Sequence, residues 1–247
     1  MFDKETRMTY PISWITESRI FMEYLESHSS PGSVLLIADF ASGEHDRVPS
    51  FFLRTLRGAI SPRPTSRWVI YSIDIHPLRL DSLLGTLEEE ALLSDARTVL
   101  ADLCTMGEAA SIRPSQVPYL HEHGLAQTWL DRVLLTQKHL PPDSFDIGIL
   151  NNDVIGYLHG YYKTYGEPEL ALKRVYETVK DEGLLIVTMP CSLYLFDSIQ
   201  ALEDAGFSFL QAIDIDTASG HMEIFQSKPP ETGLSQLGHY SFFLFTK

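Results

Sequence analysis

Several apolar runs in this chain end in polar side chains that could hold a ligand. Val34 to Ile37 leads to Asp39, Trp68 to Ile73 to Asp74, Thr98 to Ala101 to Asp102, and Phe145 to Leu150 to Asn151-Asn152-Asp153. In an open α/β sheet, ligands sit beyond the carboxyl ends of the strands where the strand order reverses, so these carboxylates and carboxamides are placed to bind one. After Asp39 come Phe40, Ala41, Ser42 and Gly43. The small side chains of this turn let the backbone approach a ligand closely, and the apolar spacing from Val48 onward predicts a helix just beyond. That is a nucleotide-type loop. Against the dinucleotide template G-x-G-x-x-G the positions hold Ala41, Gly43 and Asp46. Two glycines are missing, and Asp46 would set negative charge where a pyrophosphate sits, so a nicotinamide cofactor is discounted.

The segment after the fourth run, NNDVIGYLHGYYKTYG, is the second concentration of chemistry. Asn151 and Asn152 offer donors and acceptors, while Tyr157, His159, Tyr161, Tyr162 and Tyr165 offer aromatic walls with polar tips. Asp153 and His159 are the candidates for removing a proton from a substrate. The same tyrosine spacing also suits a helix packed on a sheet, and that alternative stays open. His121-Glu122-His123 lacks the H-E-x-x-H spacing of a zinc helix, and no second carboxylate pairs with Asn151 to Asp153, so no metal site is predicted. Tyr176 to Lys180 reads Y-x-x-x-K, but it precedes the fifth strand on a helix whose Val175 and Val179 face the core, so it is read as coincidence.

The elements that must position these residues alternate as strand and helix. Val48, Phe51, Phe52 and Leu56 share a helix face, ended by Gly58 and the Pro62 and Pro64 segment. His76-Pro77 opens a helix carrying Leu80, Leu83, Leu84 and Leu87. A helix with Leu125, Trp129, Leu130, Val133 and Leu134 on one side is expected between Cys104 and Pro142, as a wall of the substrate site. Helices follow at Glu167 to Asp181 and Leu193 to Ala205. Strands follow at Leu184 to Met189, Phe207 to Ile215 and Tyr240 to Phe245. This order predicts an α/β doubly wound parallel sheet. Residues 1–30 precede it as a helical cap, with Trp14, Ile15, Phe21, Tyr24 and Leu25 at packing positions. The remainder, 31–247, is read as one domain.

Taken together, Asp39-Phe40-Ala41-Ser42-Gly43 and the element order resemble the class I S-adenosylmethionine-dependent methyltransferases, from about Ser33 to Lys247. Their first motif sets an acidic residue, a hydrophobe and a small-x-Gly turn after the first strand; here Ala41 and His45 stand where glycine is usual. The resemblance implies a Rossmann-like seven-stranded sheet whose last strand inserts antiparallel, and S-adenosylmethionine as cofactor. It implies that Asp74, with Ile75, receives the ribose hydroxyls and that Asp102 and Leu103 read the adenine. Asp39 then lies near the methionine end, with Asn151 beside the cofactor. Methyl transfer is an in-line displacement from a sulfonium, so such a protein chiefly positions donor and acceptor. Tyr10, Trp14, Tyr157 and Tyr161 are candidate substrate contacts, with Tyr10, Trp14 and Arg19 on a segment that could act as a lid. The degenerate first motif keeps a rival open, a methyltransferase-like binding or scaffold protein without catalysis.

With 19 Lys and Arg against 33 Asp and Glu, the formal net charge of −14 disfavours nucleic acid and favours a small-molecule substrate. Cys104 and Cys191 lack C-x-x-C or disulfide-framework spacing. MFDKETRM lacks the apolar core of a signal peptide, and the apolar stretch from Gly183 to Phe196 is too short to span a bilayer. A soluble cytoplasmic protein is expected, of unspecified oligomeric state.

Overall fold

The structure, a computed structural model, describes residues 2–60, 65–106, 140–164, 167–190, 195–229 and 238–247. The helix expected around Leu125 to Leu134, the His121 to His123 motif, Tyr165 and Cys191 lie outside them. The described strands form one sheet in the order β3-β2-β1-β4-β5-β8-β6-β7. They are β1 Val34–Phe40, β2 Arg67–Asp74, β3 Ala96–Leu100, β4 Phe145–Leu150, β5 Val179–Met189, β6 Ser208–Asp216, β7 Met222–Phe225 and β8 His239–Thr246. Pairing is parallel from β3 through β5, and β8 runs antiparallel to both β5 and β6. The order reverses between β1 and β4, where a doubly wound sheet opens a crevice.

Side chains alternate between two cores because strand residues point to opposite faces. Leu35 and Ile37 join Phe51, Phe52 and Trp68 on one face, together with Ile12, Ile15, Phe21 and Leu25 of the N-terminal segment. Ala38 and Phe40 join Phe145, Leu172 and Val175 on the other. The N-terminal segment is also tied to the sheet by polar bonds: Ser18 donates to Gln211 Oε1 at 2.6 Å and Tyr24 to the Asp146 carbonyl at 2.9 Å.

Three elements differ from the sequence reading. Seven strands are expected, and the structure has an eighth, β7, paired antiparallel with β6 at the edge. Its residues MEIF are only half-buried or exposed, so it carries no apolar run to announce it. The helix expected to reach Asp181 is Pro168–Thr178, and β5 begins at once at Val179. The helix after the first loop spans 47–59, with Phe51–Leu56 as a π-helical stretch between α-helical ends.

Candidate functional site

A cavity of about 240 Å³ opens at the carboxyl ends of β1, β2 and β4, lined among others by Asp39, Ala41, Ser42, Asp74, Ile75 and Asn151. The first loop and the end of β2 are laced together beneath it. Ser42 donates its N–H to the Ile73 carbonyl at 3.0 Å, and Asp74 accepts from Gly43 N–H at 2.8 Å and His76 N–H at 2.7 Å. The turn demands left-handed backbone at two positions, Ala41 with φ +55° and Gly43 with φ +69°. Glycine adopts that region without strain and alanine does not, which gives the usual glycine at position 41 a physical reason.

Asp39 is the most constrained charge in the cleft. It is 1% exposed, its Oδ1 has no hydrogen-bond partner among the described residues, and Ser42 Oγ is likewise buried without one. Burial, and secondarily the Asp74 carboxylate, hold the Asp39 pKa well above the usual carboxylate range. Buried polar atoms are nearly always paired, so two unpaired oxygens lining one cleft point to a polar ligand that completes them.

The far wall is set by Thr188 at the end of β5. Its hydroxyl donates to Asn151 Oδ1 and accepts from Asn152 N–H, both at 2.8 Å, while Tyr240 Oη lies 3.1 Å from it and 3.2 Å from Asn152 Oδ1. Burial pushes the Tyr240 phenol up to about 12, so it remains a donor. Asn152 and Asp153 both have φ of +62°, a strained pair of non-glycine residues held by this network. Replacing Thr188 with valine strands the Asn152 N–H; a loss of about 2 kcal/mol in urea unfolding is expected, with little change in side-chain volume.

The structure does not bring all the predicted residues here. Phe40 turns into the core, edge-on to Phe145 with ring centroids 6.1 Å apart, so only its backbone is near the loop. Asp102 is buried, accepting from Cys104 N–H at 2.9 Å and from the Tyr162 hydroxyl, and Leu103 packs beside it in the core. Neither lines the cleft. Asp153 caps the helix Val154–Gly160 through Gly156 N–H at 3.2 Å, and burial raises its pKa. His159 is outside the cleft, its Nε2 buried without a partner among the described residues. Tyr157 does line the cleft; Tyr161 is 55% exposed and packs against Tyr157 with centroids 5.3 Å apart. Tyr10 packs on Phe51, Trp14 belongs to a second cavity, and Arg19 pairs with Glu23 at 2.6 Å on its own exposed helix face. Arg47, His76 and Arg79 line the cleft and were missed. Arg47 and Arg79 lie in the first helical turn after a cleft loop and His76 is the N-cap of its helix, and those positions are the signal.

Three solved structures share this arrangement. The CurJ carbon methyltransferase aligns with TM-score 0.53 and 10% identity over 98% of this chain and 57% of that one. A protein from Galdieria sulphuraria assigned as a sarcosine dimethylglycine methyltransferase aligns with TM-score 0.52 and 8% identity, over 95% and 84%. This is the class I methyltransferase fold. The 4+2 cyclase SpnF aligns with TM-score 0.51 and 13% identity, over 93% and 80% of the two chains. At such identities the likeness is one of fold, and a cyclase among these methyltransferase-fold structures illustrates that the fold does not dictate the reaction. No family model matches the chain, and no curated protein does. Among the described residues no helix is long and apolar enough to cross a membrane, and no cluster of three or more His, Cys, Asp or Glu is placed to hold a metal.

Proposed function

We propose that the cleft binds S-adenosylmethionine and that the chain transfers its methyl group to a small-molecule acceptor in the cytoplasm, with residues 1–30 as a cap over the domain 31–247. The observation that supports this best is the pair of unpaired oxygens, Asp39 Oδ1 and Ser42 Oγ, buried in a cleft that also holds Asp74. They fit the group: the cofactor has a cationic ammonium and two ribose hydroxyls, all donors. Asp39 faces the ammonium end in this reading. Asp74 keeps acceptor capacity for the ribose beyond its two backbone bonds, since a carboxylate offers about four lone-pair sites. Arg47 supplies a guanidinium for the cofactor's carboxylate, and Ile75 an apolar contact for the base. Asp102 and Leu103 leave the adenine to other groups.

When bound, S-adenosylmethionine supplies an electrophilic methyl group. The chain's own contribution is orientation, because Asp153 is spent as a helix cap and His159 does not line the cleft. That same observation favours a second reading, ligand binding without methyl transfer. Calorimetric titration with S-adenosylmethionine and S-adenosylhomocysteine tests the cofactor: micromolar binding, about −8 kcal/mol, is expected. Absence of binding to both ends the methyltransferase reading. Binding with no transfer of labelled methyl to any of a broad set of small acceptors moves the assignment to the second.

A further inference from the structure

A second cavity, about 490 Å³, lies between the N-terminal segment and the turn joining β6 to β7, and its lining is unlike the rest of this acidic chain. Its charged side chains are Lys4 and Arg7, and no carboxylate lines it among the described residues. The chain as a whole has 33 acidic residues against 19 basic ones, so a wall with two cations and no acid is a local reversal of sign. Phe2, Met8, Trp14 and Tyr240 give the cavity an apolar and aromatic body, and Thr217 and Ser219 of the turn add two hydroxyls.

Arg7 is the anchor. It is 92% buried by its 8% exposure, its guanidinium lies 3.7 Å over the Trp14 ring, and its Nη2 pairs with Glu17. Its Nη1 is buried with no hydrogen-bond partner among the described residues. A guanidinium seated over an indole with one fork arm unused is preorganised for a planar anion, and a buried unpaired donor gains most from one. Lys4 makes no ion pair among the described residues and adds a second cation at the exposed rim. Tyr240 joins this cavity to the first. It lines the second cavity, and its hydroxyl reaches Asn152, which lines the cofactor cleft.

We propose that this cavity is the acceptor site and that it selects small molecules carrying a carboxylate on an apolar body. The word acceptor rests on the cofactor reading above; the preference for an acid does not. The carboxylate would take the Arg7 and Lys4 end, and the apolar body the Trp14, Met8 and Tyr240 walls, toward the cleft. Glu17 offsets the charge of Arg7, so Lys4 supplies the net positive charge of the wall and the open Arg7 Nη1 supplies the directed donor.

The test is calorimetry of the full chain with 2-naphthoate, indole-3-acetate and decanoate, each beside its primary amide. At least one acid is expected to bind saturably and about tenfold tighter than its amide, the scale of one charge-assisted contact. Arg7→Met removes that preference. Because Arg7 is buried and that variant can fail to fold, two surface variants carry the test independently: Lys4→Gln narrows the acid-to-amide ratio, and Ala218→Trp, on the exposed turn across the cavity, weakens acid and amide together. All three keep the Kd for S-adenosylhomocysteine within about twofold. No saturable acid, equal binding of acid and amide, or indifference to both surface variants overturns the proposal. Acid selectivity in a chain that binds no S-adenosylhomocysteine supports the site and ends the methyl-transfer reading, whereas cofactor binding without acid selectivity ends this inference alone.

Discussion

Asp74→Ala lowers the free energy of unfolding by about 3 kcal/mol, because the carboxylate accepts from two backbone donors at once. Gly43 N–H and His76 N–H approach it at 2.8 and 2.7 Å from the loops after the adjacent strands β1 and β2, and Asp74 itself is 5% exposed. Each bond to a charged acceptor contributes about 1.5–3 kcal/mol, and part of the loss is offset as Asp39 is relieved of a neighbouring negative charge. Asp74→Asn is the informative companion. It keeps the shape but turns one acceptor into a donor facing an N–H, so it is expected to lose about half as much or more. Urea unfolding reads both. On the proposed function, S-adenosylmethionine affinity falls at least about tenfold in Asp74→Ala, through the ribose and through the loosened Gly43 turn. Unchanged unfolding would mean that the two loops are held by something other than this carboxylate.

What was legible in the sequence follows from what local pattern can encode. Asp39, Asp74 and Asn151 stood out because each closes an apolar run, and the sheet then places strand ends together without further information. The identity of the wall residues was harder to read. Arg47 and Arg79 sit in first turns of helices and His76 at an N-cap, positions where a basic residue faces solvent as readily as a cleft. Asp102 ends a strand just as Asp74 does, yet its partner is Tyr162, 60 positions on, and only the packing of the helices after β4 decides that the carboxylate turns inward. Asp153 looked like a free acid, but a Gly three residues later gives it a capping partner; a Cβ on Gly156 would stand 2.5 Å from its Oδ1. Trp14 reads as a packing residue and a candidate substrate contact, and it is also the platform of a buried arginine seven residues earlier, a pairing made across the break between the helix Lys4–Thr9 and the 3-10 helix Pro11–Glu17.

The largest effect of pH is expected at Asp39, and its sign follows from the direction of the shift. In the folded chain its pKa is raised by burial and then by Asp74, so the folded state holds this proton more tightly than the unfolded one. The contribution of Asp39 to stability is therefore complete below the ordinary aspartate range. It is lost as pH rises through the window from that range up to the raised folded value. A cationic ligand reverses the balance, because an ammonium beside Asp39 favours the ionised form that burial disfavours. Binding of S-adenosylmethionine in that window should release a proton and tighten with rising pH, by up to about tenfold per pH unit. Asp39→Asn should bind more weakly, with little pH dependence, and should flatten the fall of stability across the same window. Calorimetry in two buffers of different ionisation enthalpy counts the released proton directly. A wild-type chain that binds the cofactor with no proton release between the two limits would place the ammonium away from Asp39, and would shift the methionine end of the site toward Arg47 and the far wall.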